Sequence, residues 1–255
     1  MTGISTEERR DRIIDLIKKE KEVKVSDLKK KFSCSNVTLR NDLVYLEKKG
    51  LIERVYGSAI LKNNTMKGLF DESNVKNIRE KQKISEYAAG LIGENESIML
   101  YTGSTALQIA KKLGGFKNLN VVTNSIITSY ELGKNPYIKV ILLGGYYNPD
   151  THAIFGQHAI TQLQEYKLDK LFLSVDGISS QYGATSEHPY ETDICKAMVE
   201  KANQVIVTAD YSKIGISRFT KIASLEEIDM LITDDKAPED ELKRIEKNGV
   251  KVVVV

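Results

Sequence analysis

From Val75 onward the chain repeats one pattern: a short apolar run, a turn residue, then a stretch long enough for a helix. The runs are Ser97–Tyr101, Asn120–Thr123, Lys139–Leu143, Lys170–Val175, Gln204–Thr208, Met230–Thr233 and Val250–Val255, each bounded by Gly, Ser, Asn or Asp. Antiparallel neighbours need only a tight turn between them, whereas parallel neighbours need a crossover of a dozen residues or more. The spacing therefore predicts an α/β fold, a mostly parallel sheet with helices over both faces. A helix over 75–92, with Ile78, Ala88, Leu91 and Ile92 turned inward, precedes the first run.

In an open sheet of this kind, ligands bind beyond the carboxyl ends of the strands. The candidate site is therefore Thr102-Gly103-Ser104-Thr105, Thr123-Asn124-Ser125, Gly144-Gly145, Asp176-Gly177 and Thr208-Ala209-Asp210. The first of these has the chemistry of a phosphate cradle. Its glycine lets backbone amides approach an oxyanion, its hydroxyls add donors, and the next helix points its positive end inward. No Gly-Lys-Ser/Thr follows, so it is not a Walker loop, and the GxGxxG of a dinucleotide site is missing. Such a turn also serves as a plain helix cap. Asp176 suits sugar hydroxyls and Lys213 brings a positive charge to the mouth; their simpler roles are a turn aspartate and a surface lysine.

Residues 1–62 differ in kind. They carry 15 Lys and Arg against 10 Asp and Glu, while the remainder carries 22 against 25. A basic head on a mildly acidic body points to a polyanionic partner for the head. Ser5 or Thr6 caps a first helix with Ile13, Leu16 and Ile17 on one side. Leu28 and Phe32 mark a short second helix, and Ser35 caps a third whose Leu39, Leu43 and Leu46 face the other two, until Gly50 stops it. Residues 51–56 and 59–61 then read as a hairpin turned at Gly57-Ser58. Three short helices and a hairpin make a winged helix-turn-helix, whose third helix presents short polar and Arg side chains to the major groove. Asn36, Thr38, Arg40 and Asn41 are placed to read bases. Ser26, Ser35 and Thr38 suit phosphate, and Arg54 and Tyr56 on the wing suit the backbone or minor groove.

Only two cysteines, Cys34 and Cys195, and three histidines are present, which removes a disulfide scaffold, a zinc finger and an iron–sulfur site. No metal site is expected. No apolar run approaches the 18 or so residues that span a bilayer, and the first 12 residues are polar and charged, so a soluble, cytoplasmic protein is expected. Cys34 fills a small apolar position in the helix-turn-helix core rather than acting as a redox switch.

The segment Ser35-Asn36-Val37-Thr38-Leu39-Arg40-Asn41-Asp42-Leu43, with Leu46-Glu47, Gly50-Leu51-Ile52 and Arg54-Val55-Tyr56-Gly57-Ser58-Ala59, resembles the DNA-binding segment of the DeoR family of bacterial transcription regulators. That pattern has two adjacent Arg where this chain has Arg40-Asn41, and two Gly where it has Gly57-Ser58. The body is similar to the effector domain that accompanies this head, itself related to sugar-phosphate isomerases. The matches run in order through Tyr101-Thr102-Gly103-Ser104-Thr105, Val122-Thr123-Asn124-Ser125, Leu143-Gly144-Gly145, Gly156, Val175-Asp176-Gly177-Ile178, Gly183-Ala184-Thr185, Glu191 to Met198, and Ala209 to Gly215. Two departures stand out: Tyr101 where the family has Asp, and Cys195-Lys196 where it has a basic pair.

The resemblance implies a DNA-binding head (1–62), a linker (63–74) and an α/β effector and oligomerisation domain (75–255) of the sugar-phosphate isomerase type. It implies a repressor of carbohydrate-use genes, without catalytic residues or cofactor, whose affinity for double-stranded operator DNA is set by a phosphorylated sugar. The effector residues are then Thr102, Gly103, Ser104, Thr105, Thr123, Asn124, Ser125, Gly144, Gly145, Asp176, Gly177 and Lys213. A homodimer or homotetramer is expected, because one head makes too few contacts for tight specific binding. The alternatives are an isomerase that kept its chemistry, with Asp176, Glu191, Lys196 and Lys213 as its acid, base and cation, and an oligomerisation module with a relict pocket.

Overall fold

The computed structural model describes residues 5–20, 22–32, 34–49, 51–61 and 76–255. The chain divides into two compact units, Met1–Asn74 and Val75–Val255. Gly50, expected to end the third helix, and the expected linker 63–74 lie outside the described residues.

In the first unit, α1 (Thr6–Glu20), α2 (Val25–Phe32) and α3 (Asn36–Lys48) surround a core of Ile13, Ile17, Leu28, Leu39, Leu43, Leu46, Ile52 and Ala59. The i, i+4, i+7 leucines of α3 form its inner stripe, and all three are 1% exposed. Leu16 and Cys34 pack partly buried against this core. The sheet has three strands where two were expected. β1 (Glu22–Lys24), between α1 and α2, pairs antiparallel with β3 (Ser58–Leu61), which also pairs with β2 (Ile52–Val55). Glu-Val-Lys carries no strand signal alone; pairing with the wing makes it one.

A buried carboxylate ties the helices together. Asp42, 1% exposed on α3, accepts from Arg9 Nε at 2.6 Å and Arg10 Nε at 2.8 Å on α1. Arg10 also lies over the Tyr45 ring, 3.8 Å from its centroid. Removing one partner of such a buried pair costs far more than the pair contributes, because a charge is left uncompensated.

The second unit is built on seven strands: β4 (Ser97–Leu100), β5 (Leu119–Thr123), β6 (Ile138–Leu142), β9 (Leu168–Ser174), β12 (Ala202–Thr208), β14 (Met230–Thr233) and β15 (Lys251–Val254). Their order is β15-β14-β12-β9-β4-β5-β6 and every pairing is parallel. Side chains alternate between two cores. Met99, Leu171, Leu173, Val205 and Val207 face α7 (Gln157–Leu163), α8 (Pro189–Lys201) and α9 (Glu239–Lys247). Ile98, Leu100, Phe172 and Ile206 face α4 (Ile78–Gly90), α5 (Ser104–Lys112) and α6 (Ile126–Leu132). Burial on both faces explains why the strands read as continuous apolar runs. In α4 Ile84, Ser85 and Ala88 are wholly buried, whereas Ile78 is half-buried. Two further strand sets were not foreseen: a hairpin of β7 (Tyr146–Asn148) with β8 (Ala153–Phe155), and an antiparallel sheet of β10 (Gly177–Ser179), β11 (Gly183–Ser186) and β13 (Thr220–Ala223).

Candidate functional sites

On the head, the base-reading candidates lie on the first two turns of α3. Ser35 caps α3: its Oγ accepts from the Thr38 amide at 3.1 Å and lies 2.9 Å from Thr38 Oγ1. Both hydroxyls are thereby held at the helix N-terminus. Asn36, Arg40 and Asn41 are exposed on α3, and Ser26 is exposed on α2. Val37, 70% exposed, stands among them, an apolar side chain at the leading end of the helix. On the wing, Tyr56 occupies the turn at φ 40° and is fully exposed. Arg54 is bound to Glu47 of α3, Nε donating to Oε2 at 2.8 Å, which fastens the wing to the reading helix.

In the body, strand order reverses between β4 and β9, where successive strands leave in opposite directions. A cleft of about 150 Å³ opens at that point, at the carboxyl ends of β4, β9 and β12. Its walls are Gly103, Ser104 and Thr105 after β4, Ser174, Val175 and Asp176 after β9, Thr208, Ala209 and Asp210 after β12, and the side chains of Lys81 and Lys213. Gly103 holds φ +138°, and a Cβ there would lie 3.0 Å from the Ser174 side chain. The α5 amides are thus open to the cleft because position 103 has no side chain. Two hydroxyls of the wall, Ser174 Oγ and the buried Thr208 Oγ1, have no hydrogen-bond partner among the described residues. Buried polar atoms are nearly always satisfied, and these two are unpaired on the cleft wall, while Thr128, Thr151 and Thr233 carry unpaired hydroxyls away from it.

The charges here are unequal. Asp210 is 2% exposed and accepts from Ser212 N, Ser212 Oγ and Asn77 Nδ2, with Lys81 Nζ 3.6 Å away. Burial pushes its carboxyl up, but the hydrogen bonds from Ser212 and Asn77 and the charge of Lys81 outweigh it and hold it below the usual range. Burial pulls the Lys81 ammonium down, with Asp210 opposing. Lys213 has no ion pair among the described residues. Asp176 is fixed by Ser186 Oγ at 3.2 Å and the Glu187 amide at 3.0 Å, leaving its other oxygen for a ligand.

The remaining strand-end candidates are placed differently. Thr123, Asn124 and Ser125 are buried. Thr123 Oγ1 donates to the Leu100 carbonyl at 2.8 Å and accepts from the Ser125 amide at 3.1 Å. Asn124 Oδ1 accepts from the Thr102 amide and its Nδ2 donates to the Ile154 carbonyl, while Ser125 caps α6. Gly144 donates its amide to Gln162 Oε1. Gly145, at φ +154°, lies so close to β8 that a Cβ would sit 2.6 Å from the Phe155 carbonyl oxygen. Gly177 is buried in β10. Thr102 is 9% exposed and does not line the cleft, unlike Gly103 and the first α5 residues Ser104 and Thr105.

Tyr101 and Cys195, the two positions where the body departs from the family pattern, lie against one another. Both are buried, which pushes the phenol and the thiol up. The Tyr101 hydroxyl donates to Glu191 Oε2 at 2.9 Å, and Ser186 Oγ is 3.3 Å from the same oxygen. Burial raises the Glu191 carboxyl above its usual range despite the bond from Tyr101. The cluster sits behind Asp176 through Ser186.

Sequence reasoning missed Lys81 and Ser174. Lys81 lies on the first turn of α4, far from any strand end in sequence, and no local pattern announces it. Ser174 was read as a strand interior because the run seemed to end at Val175.

A basic winged-helix head and a parallel sheet with a polar cleft at its switch point are the plan of a DNA-binding regulator. Comparison with known proteins agrees. A family model described as the DeoR-like helix-turn-helix domain matches residues 9–65, and one described as the DeoR C terminal sensor domain matches residues 76–235. The HTH-type transcriptional regulator GolR of Listeria innocua is 34% identical over 97% of this chain and 98% of its own. The putative aga operon transcriptional repressor of Escherichia coli is 31% identical over 98% and 94%, and the transcriptional repressor GlcR of Bacillus subtilis 33% over 97% and 96%. Among solved structures, ribose 5-phosphate isomerase A of Methanocaldococcus jannaschii overlaps 52% of each chain at 20% identity and a TM-score of 0.39. The chain belongs to the DeoR family. It is a DNA-binding transcriptional regulator and not an isomerase, and among its described residues no helix is long and apolar enough to cross a membrane.

Proposed function

We propose that this regulator is a cytoplasmic repressor of carbohydrate-use genes whose operator affinity is controlled by a phosphorylated sugar bound in the switch-point cleft. The observation that carries the reading is the cleft's composition: free α5 amides behind Gly103, the unpartnered hydroxyls of Ser174 and Thr208, and two lysines. That set accepts a phosphate, and Asp176 beside it accepts sugar hydroxyls. Ser104, Thr105, Lys81 and Lys213 take the phosphoryl oxygens. Asn124 serves the site from behind, by accepting from the Thr102 amide, and Thr123 and Ser125 hold the strand end beside it, while Gly144 and Gly145 pack against Gln162 and β8. The carbohydrate link is supported by relatives named for operons such as aga.

The head covers residues 1–62 and the effector domain 75–255, joined by 63–74. Arg40 and Asn41 read bases, Asn36 and Thr38 assist them, and Ser26, Ser35, Arg54 and Tyr56 hold the phosphate backbone. Two copies or four present paired heads to related half-sites.

The test is fluorescence anisotropy of the full chain on duplexes from upstream of its own and neighbouring genes, at two salt concentrations because phosphate contacts are salt-dependent. It is repeated with ribose 5-phosphate, glucose 6-phosphate and fructose 6-phosphate. Sequence-dependent binding that one of them weakens about 5- to 150-fold is expected. Sequence-dependent binding indifferent to them all overturns the effector reading alone.

A further inference from the structure

Four oxygens form one chain from the core to the cleft. They are the Tyr101 hydroxyl after β4, Glu191 Oε2 on the first turn of α8, Ser186 Oγ at the end of β11, and Asp176 Oδ2 in the cleft wall. The successive separations are 2.9, 3.3 and 3.2 Å, and Tyr101, Glu191 and Ser186 are all buried. Ser186 Oγ also accepts from the His188 amide at 3.1 Å, and Asp176 Oδ2 from the Glu187 amide at 3.0 Å. Three contacts between oxygens need three hydrogens, and an ionised carboxylate supplies none. Tyr101 and Ser186 bring two. With Glu191 ionised, two carboxylates contest the single Ser186 hydrogen, and one contact is left as a bare approach of two oxygens. A proton on Glu191 supplies the third hydrogen. Every contact then has a donor, in one direction: Tyr101 to Glu191, Glu191 to Ser186, Ser186 to Asp176.

We infer that Glu191 carries a proton in the folded body and, through Ser186, is a positioning residue that keeps Asp176 aimed as an acceptor at the hydroxyls of a ligand in the cleft. The inference rests on the reading of Asp176 as the partner of sugar hydroxyls. The surroundings of Glu191 favour the proton. Burial raises its carboxyl and the charge of Asp176 raises it further, against the bonds from Tyr101 and Ser186 and the influence of His188. Tyr190 faces it from the same turn of α8, and Cys195 from the next. Burial keeps the Tyr101 phenol and the Cys195 thiol uncharged. The family pattern has an acid and a base at these two positions; a basic side chain at 195 would hold Glu191 ionised, and the thiol does not. With Oδ2 of Asp176 held by Ser186 and the Glu187 amide, Oδ1 is left to accept from the ligand. Loss of the Glu191 proton draws the Ser186 hydrogen away from Asp176. The grip on hydroxyls then weakens, while the α5 amides and the lysines that meet a phosphate are untouched.

The proton is read on the full wild-type chain, labelled at the glutamate carboxyl carbons, by nuclear magnetic resonance across pH, with Glu191→Gln identifying the signal. At a pH of about 6, where an exposed glutamate is ionised, one signal missing from the variant is expected to keep the position of a protonated carboxyl. Ionisation of every glutamate at that pH overturns the inference. The positioning role is read by calorimetry at the same pH, with fructose 6-phosphate and inorganic phosphate as probes. Ser186→Ala, which cuts the chain, is expected to weaken fructose 6-phosphate about 5-fold or more and inorganic phosphate less than about 2-fold. Glu191→Gln, whose amide N–H stands in for the acid proton, is expected to keep both affinities within about 2-fold of wild type, whereas Glu191→Ala loses the sugar phosphate as Ser186→Ala does. The two Glu191 variants carry the same contrast if Ser186→Ala does not fold. Variants that melt as wild type does and lose neither probe, or lose both alike, overturn the positioning role. So does a Gln variant that loses the sugar phosphate as the Ala variant does. Failure of the cleft reading looks different: neither probe binds wild type, and the resonance then decides by itself whether Glu191 holds the proton.

Discussion

The carboxyl edge of the body sheet has two halves with the same vocabulary and opposite uses. After β4, β9 and β12 the polar residues open onto a cleft and leave hydroxyls unpaired. After β5 and β6 they turn inward, and the β7–β8 hairpin receives them, through Asn124 to Ile154 and through Gly145 against Phe155. Thr123 and Thr208 make the contrast sharpest. Each ends a parallel strand and each is buried, yet one hydroxyl is bonded on both sides and the other on neither. A buried polar group with partners stabilises the fold, and one without costs stability that a ligand can recover.

That contrast can be broken most directly on its filled side. Asn124→Ala strands the Thr102 amide and the Ile154 carbonyl, so it is expected to destabilise the body by about 2–4 kcal/mol, read by urea unfolding of the full chain. A loss under about 0.5 kcal/mol would mean the filled side is as loosely built as the open one. The head serves as the outside reference. Arg40→Ala is expected to weaken operator binding by about 1–3 kcal/mol in anisotropy while leaving sugar-phosphate affinity untouched.

The threonine pair offers the sharper version, one substitution with opposite outcomes. Thr123→Val is expected to cost about 1–2 kcal/mol, since the Leu100 carbonyl and Ser125 amide lose a partner. Thr208→Val is expected to be neutral or stabilising by up to about 1 kcal/mol, and to lower phosphate affinity in calorimetry. Equal costs at both positions would erase the distinction.

The smallest effect is one of pH. Asp210 is held below its ordinary 3.8 in the folded chain, so the unfolded chain binds its proton first as pH falls. Its stabilisation is fully present above that ordinary value and is lost as pH drops through the lowered one. The stability difference between wild type and Asp210→Asn is therefore expected to stay flat from neutral pH down to about 5 and to shrink below about 4. Wild-type stability that instead rises relative to Asp210→Asn as pH falls through about 6 would show that burial dominates and that the carboxyl is raised.

Much of this was legible beforehand. All seven parallel strands lie where apolar runs stop at turn residues, because burial on both faces leaves a continuous signature. The α3 stripe and its Ser35 cap are equally local, since both depend on residues within seven of one another. Short strands such as β1 and β10 were not legible: three residues carry no periodicity, and only a partner from elsewhere makes them strands.

The sequence by itself determined the two-part plan, the basic head with its capped third helix, the parallel sheet and the edge on which ligands are expected, because each follows from periodicity, caps and charge along the chain. Tertiary structure decided which strand ends form the cleft and which are plugged. It brought Lys81 to Asp210 from more than a hundred residues away and set Tyr101 against Cys195. Whether a hydroxyl at a strand end is spent or free depends on what packs over it, and that neighbour is chosen by strand order, which no local stretch of sequence encodes.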